Sequence, residues 1–148
     1  MTENTLAKLF EHNNWANLQI IQACATLSDE QLDAEPPSAT LGTIRSTLLH
    51  LVSSQRGYLS LLTLPVDARR KASLTFAELQ ESARVSGEGL LALARDESSE
   101  RLKARLQTTD GYYVEPWVVM VQVINHATVS NKLDAPFPMN HCWLFSGA

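Results

Sequence analysis

The sequence is poor in cysteine, proline, glycine and basic charge, and each shortage removes a class of protein. Among 148 residues the only cysteines are Cys24 and Cys142, with no CxxC pair. That excludes a disulfide-stapled scaffold and a cysteine-rich zinc ribbon, and it fits reduced thiols in a cytoplasmic protein. Lys and Arg number 12 against 16 Asp and Glu, a formal net charge of −4. The basic residues are scattered apart from Arg69–Arg70–Lys71. Without a basic face, no nucleic acid partner is expected. The start, MTENTLAKLFEHNN, has no basic leader before an apolar core. The longest apolar runs, such as Trp117–Val121, are far too short to span a bilayer, so no membrane partner is expected. No glycine-rich phosphate loop, nucleophile elbow, HExxH motif or convincing carboxylate pair is present.

What remains is an ordinary globular composition, 45% hydrophobic and 19% charged, on a chain long enough to bury a core as one domain over residues 1–148. Six prolines, four of them in the pairs Pro36–Pro37 and Pro136–Pro138, leave long stretches free for helix. At about 100° per residue, Leu6, Leu9, Asn13, Ala16, Ile20, Cys24 and Leu27 form one stripe, predicting a helix from about Thr5 to Leu27. Ser28 and Gln31 begin a short capped turn that Pro36–Pro37 stop. Leu41 to Leu62 carries a second stripe, through Leu48, Leu51, Val52, Gln55, Tyr58 and Leu59, ended by Pro65.

In LTFAEL, Thr75 and Glu78 form a capping box, with Leu74 and Leu79 placed for a hydrophobic staple. A third helix is expected from there to about Ala94, with Gly87 and Gly89 weakening it. Leu102, Ala104 and Leu106 then alternate with polar residues before Asp110–Gly111, which predicts a short hairpin. Pro116 suits the first turn of a fourth helix, apolar nearly all round, running to about Leu133 and stopping by Pro136. The expected fold is all-α, an up-down four-helix bundle with a short hairpin before the last helix.

The histidines are the chemistry-bearing residues. In VQVINHATVSNKL, the residues Gln122, His126 and Ser130 fall at i, i+4 and i+8, a polar line through the apolar helix. His126 is expected to be buried and to need a partner, which a satisfied core hydrogen bond supplies more often than a metal. His50, in TLLHLVSSQRGYL, sits well off the mean apolar direction, which reads as a histidine at the edge of the buried face rather than a central ligand, sharing its face with Thr47, Ser54 and Gly57. His12 and Asn13, in EHNNWANL, read as a helix–helix hydrogen-bonding position or as pocket lining. Trp15 and Trp117 read as core or dimer-interface aromatics.

Taken together, FEHNNWANLQIIQACATLSDEQLDAEP, TIRSTLLHLVSSQRGYL, LTFAELQESARVSGEGLLAL and VVMVQVINHATVS, in that order from about Leu6 to Thr128, resemble the DinB/YfiT-like superfamily. The resemblance implies a four-helix bundle, often a homodimer, holding a divalent metal such as Zn or Ni with three histidines. The first corresponds to His50 in its LLHL context. The second corresponds to His126, the start of an HxxxH pattern on the last helix. The third is replaced: Ser130 stands four residues on. Neutral serine is a far poorer ligand than imidazole, so two histidines bind more weakly than three. His141 or Cys142 could substitute from residues 131–148, an atypical tail for this family. The implied activity is that of a metal-dependent enzyme, a thiol-dependent transferase or a hydrolase, on a small-molecule or thiol substrate. The alternative is a non-catalytic, degenerate bundle acting as a dimeric scaffold or binding protein.

Overall fold

The structure, a computed structural model, describes residues 4–35, 42–71, 73–96 and 98–130, with side chains to Thr128. Four long helices form: α1 (Thr5–Cys24), α3 (Ile44–Thr63), α4 (Leu79–Arg95) and α5 (Pro116–Ser130). The short α2 (Asp29–Asp33) follows α1, and β1 (Leu106–Gln107) pairs antiparallel with β2 (Tyr113–Val114) just before α5. The four-helix bundle and its hairpin are therefore as the periodicity predicted. The first helix ends three residues before the expected Leu27. The expected stops at Pro36–Pro37 and Pro136, and the start at Leu41, lie outside the described residues.

Local chemistry sets the boundaries. The Asn4 side chain accepts from the Ala7 amide at 3.0 Å, and its Nδ2 donates to the Ala94 carbonyl at 2.8 Å, capping α1 and tying it to the far end of α4. Ser28 and Gln31 close the capping box of α2. The Thr75–Glu78 box is present too, but the chain first makes a 3-10 turn, Phe76–Glu78, before α4 proper. Arg45 bridges Asp29 and Asp33 at 2.6 and 2.7 Å and lies over the Phe76 ring, so one guanidinium gathers α2, α3 and the entry to α4.

The direction of α4 adds detail to the bundle. Asn14 on α1 meets Gly87 and Glu11 meets Arg95, so α4 runs antiparallel to α1. Gln55 on α3 meets Ala83 and Ser86, and Leu59 meets Gly89, so α3 and α4 run parallel. The helices therefore run up, down, down and up. The connection between the two parallel helices must therefore return along the length of the bundle, and at about 3.3 Å per extended residue it is more than long enough to span a helix of this size. Arg69 anchors the start of the crossover, donating to the carbonyls of Leu64 and Leu61 on one side and Gln107 of β1 on the other.

Two apolar clusters fill the bundle, one around Ile21, Leu48, Val52 and Leu79, the other around Phe10, Leu62, Leu90 and Met120. Between them lies a polar layer. Asn17 Nδ2 donates to Gln55 Oε1 at 3.1 Å, and Gln55 Nε2 donates to the Ala83 carbonyl and Ser86 Oγ at 2.9 and 2.8 Å. Gln55 thus joins α1, α3 and α4 from inside the core. The two glycines of α4 are explained by contact: a Cβ on Gly87 would stand 2.8 Å from the Asn14 side chain, and one on Gly89 2.8 Å from Leu59. Their helix-propensity cost is accepted for close approach.

The fourth helix differs from the reading as buried nearly all round. Val119, Met120, Val123 and Ala127 are buried, but Trp117 is 65% exposed, and Val118 and Val121 are exposed as well. α5 packs mainly on α3 and less on α1, which leaves its outer side open.

Replacing Gln55 with Leu removes the hydrogen bonds that link Asn17, Ala83 and Ser86 across three helices. Each buried polar group losing its partner costs about 1–3 kcal/mol. Gln55→Leu should therefore lower unfolding free energy by about 2 kcal/mol or more, read by urea titration.

Candidate metal centre

α3 and α5 lie side by side, antiparallel, and each brings one histidine to their seam. His50 stands in the second turn of α3 and is exposed; His126 stands one turn before the last described residue of α5 and is half-buried. Their Nε2 atoms approach to 2.9 Å and their ring centroids to 4.9 Å, with 50° between the planes. The two helices fix this approach because Leu51 and Val52, beside His50, and Val123 and Ala127, flanking His126, are all buried.

Two nitrogens at that separation cannot both carry a proton. The contact therefore needs Nε2–H on one ring and a bare Nε2 on the other, with the roles set by the tautomer of each. The His126 pKa is lowered, first by burial and then by the neighbouring His50. Both causes keep His126 neutral near pH 7, with a lone pair available once the shared proton leaves.

Other candidates fall elsewhere or outside. The expectation that His126 is buried is corrected to half-buried, because the outer flank of α5 at Gln122 and Asn125 is exposed. His12 is exposed, and its ring lies 5.7 Å from that of Trp15. Trp15 and Trp117 are surface rather than core aromatics. Asn13 is buried, yet its Nδ2 has no hydrogen-bond partner among the described residues. The interhelical hydrogen bond expected there is made by its neighbour, Asn14 Nδ2 to the Gly87 carbonyl at 2.7 Å. The residue that sequence reasoning left in the apolar stripe is Tyr58, whose ring stands 6.0 Å from His126, edge-on at 70°. Its spacing from His50, two helical turns, was the available signal.

Among the described residues, no group of three or more His, Cys, Asp or Glu side chains is placed to hold a metal ion. Ser130 closes α5, and His141 and Cys142 lie outside the described residues. Two imidazole nitrogens 2.9 Å apart can nonetheless both reach one ion at the usual bond length of about 2.0–2.1 Å, so this part of the site fits a divalent metal of intermediate softness.

A helical bundle with two imidazoles meeting across the seam of its second and fourth long helices describes a class rather than a particular protein. The chain matches the family model described as the DinB family over residues 1–129, and it belongs to that family. No curated protein matches it. Among the described residues, no helix is long and apolar enough to cross a membrane.

The lowered His126 pKa carries a sign. The unfolded chain takes up the proton at about 6.5, and the folded one only at lower pH. The stability this group contributes is present above about 6.5 and is lost as pH falls through the lowered value. Urea unfolding of metal-free protein should weaken as pH drops below about 6.5, and His126→Gln should flatten that part of the profile.

Proposed function

We propose that the chain is a metal-binding DinB-family protein in which His50 and His126 share one divalent ion, zinc or nickel, and serve a metal-dependent transferase or hydrolase reaction. The observation that supports this reading is the 2.9 Å approach of two Nε2 atoms from separate helices at an accessible position. A bound ion with open coordination positions would lower the pKa of a water or thiol placed on it. The chain's own part is binding and proton placement. The imidazole that carries Nε2–H moves its proton to Nδ1 or to solvent, so that both Nε2 lone pairs converge. Burial keeps His126 neutral for that purpose. The half-open seam admits a small molecule or a low-molecular-weight thiol to the ion. With Ser130 where a third imidazole would complete the set, affinity is lower and more positions stay open to substrate.

Isothermal titration of metal-free protein with Zn(II) or Ni(II) tests the reading. One ion per chain, lost in both His50→Ala and His126→Ala and tightened in Ser130→His, is the expected result. Deleting residues 136–148 asks whether His141 or Cys142 takes part: if either does, binding is lost while helical circular dichroism stays largely intact. Wild-type protein that takes up no ion contradicts the proposal.

A second reading, a non-catalytic bundle acting as a dimeric scaffold, is favoured by one feature. Residues 116–130 contain no Asp, Glu, Lys or Arg. The outer face of α5 nevertheless exposes Trp117, Val118 and Val121, with Tyr113 exposed in the adjoining strand. A second copy covers such a face without like-charge repulsion, and it lacks the cations that a nucleic acid or an anionic membrane needs. Light scattering should report a dimer that Trp117→Glu with Val121→Glu converts to monomer. A wild-type monomer rules this face out as a homodimer interface.

A further inference from the structure

The imidazole pair depends on how the His126 ring is turned, and its immediate surroundings on α5 do little to fix that. His126 lies one turn from the end of the described helix, flanked by exposed Asn125 and with exposed Gln122 a turn before it. An imidazole can occupy two orientations about its last torsion, and only one aims Nε2 at a given neighbour. Among the described residues, two ring contacts bear on His126, from His50 at 4.9 Å and from Tyr58 at 6.0 Å. Both come from α3.

We propose that Tyr58 is the positioning residue of the pair, its ring holding His126 so that Nε2 faces His50. This rests on the metal-binding reading for its functional consequence, but the positioning itself concerns the metal-free protein. Tyr58 is suited to the role because it is itself held. It is half-buried and packs against the apolar cluster of Phe10, Leu62 and Met120, which locks its rotamer. An edge-on aromatic neighbour distinguishes the positive edge of a ring from its face, so the 70° arrangement favours one plane for the imidazole, and within that plane the contact with His50 selects the flip that aims Nε2 at it. His50 and Tyr58 also stand on one rigid helix, so their separation is fixed independently of the end of α5. His126 is thereby gripped between two points of a single rod. Outer groups that orient metal-binding histidines typically contribute 10–100-fold to affinity, which is the scale expected here.

Four variants test this. Tyr58→Phe keeps the ring, Tyr58→Leu keeps apolar volume without it, and Tyr58→Ala removes both. Leu59→Ala is the control, because Leu59 packs on the same cluster with no ring contact to His126. The first readout is the long-range proton–nitrogen NMR spectrum of the imidazoles in metal-free protein. Wild type and Tyr58→Phe should show one Nε2–H and one bare Nε2 in fixed positions, whereas Tyr58→Leu and Tyr58→Ala should show averaged signals for His126. The second is Co(II) affinity by competition, expected to fall about tenfold in the Leu and Ala variants and to stay within about twofold in Phe. Unchanged imidazole signals in Tyr58→Leu, or the same change in Leu59→Ala, overturn the proposal. If no protein takes up cobalt while Tyr58→Leu still alters the imidazole signals, positioning stands and the metal reading fails.

Discussion

α3 is the constraint on which the rest of the molecule depends. From its inner side Gln55 accepts from Asn17 of α1 and donates to Ala83 and Ser86 of α4, holding three helices in register through the core. From its side toward α5 it presents His50 and Tyr58 to His126. A buried polar side chain costs desolvation unless its partners are all in place, so the Gln55 network favours one helical register over its neighbours. The register in turn decides whether two imidazoles meet or miss, since a shift of one residue turns a helical side chain by about 100°. Core and candidate site are thus two faces of one rod.

The connectivity follows from the same helix. Because α3 and α4 run parallel, residues 64–78 must return along the bundle, and both ends of that return are fastened by arginine. Arg69 holds the start to carbonyls of α3 and β1, and Arg45 holds the arrival at Phe76 to α2 and α3. Both pairings are largely exposed, so each contributes little energy alone. Their effect is geometric, fixing where an otherwise irregular segment begins and ends. The hairpin that Arg69 touches then delivers the chain to Pro116 and sets the start of α5, the helix that carries His126.

Much of this was legible in the sequence, and what was missed shares a physical cause. The stripes, the Thr75–Glu78 box and Asp110–Gly111 located the elements, because periodicity and turn chemistry are local. Gln55 and Tyr58 lay in the second stripe but read as core, since their partners sit on other helices. Gly87 and Gly89 looked like weaknesses in α4, whereas the structure gives each a side chain from another helix at 2.8 Å where a Cβ would be. Asn13 was singled out for an interhelical bond that its neighbour Asn14 makes, a 100° error that periodicity alone cannot resolve. His50 and His126 were paired through family resemblance, not periodicity; the 2.9 Å contact is the geometric observation that brings them together.

Two facing imidazoles 2.9 Å apart hold one proton between their nitrogens, and under the proposed function a metal ion takes that proton's place. Anomalous diffraction from crystals grown with Co(II) addresses that replacement most directly. The account predicts a single cobalt peak at the α3–α5 seam, about 2 Å from Nε2 of both His50 and His126. A peak bound elsewhere, or density showing the nitrogens joined only by their hydrogen bond at saturating cobalt, would contradict it.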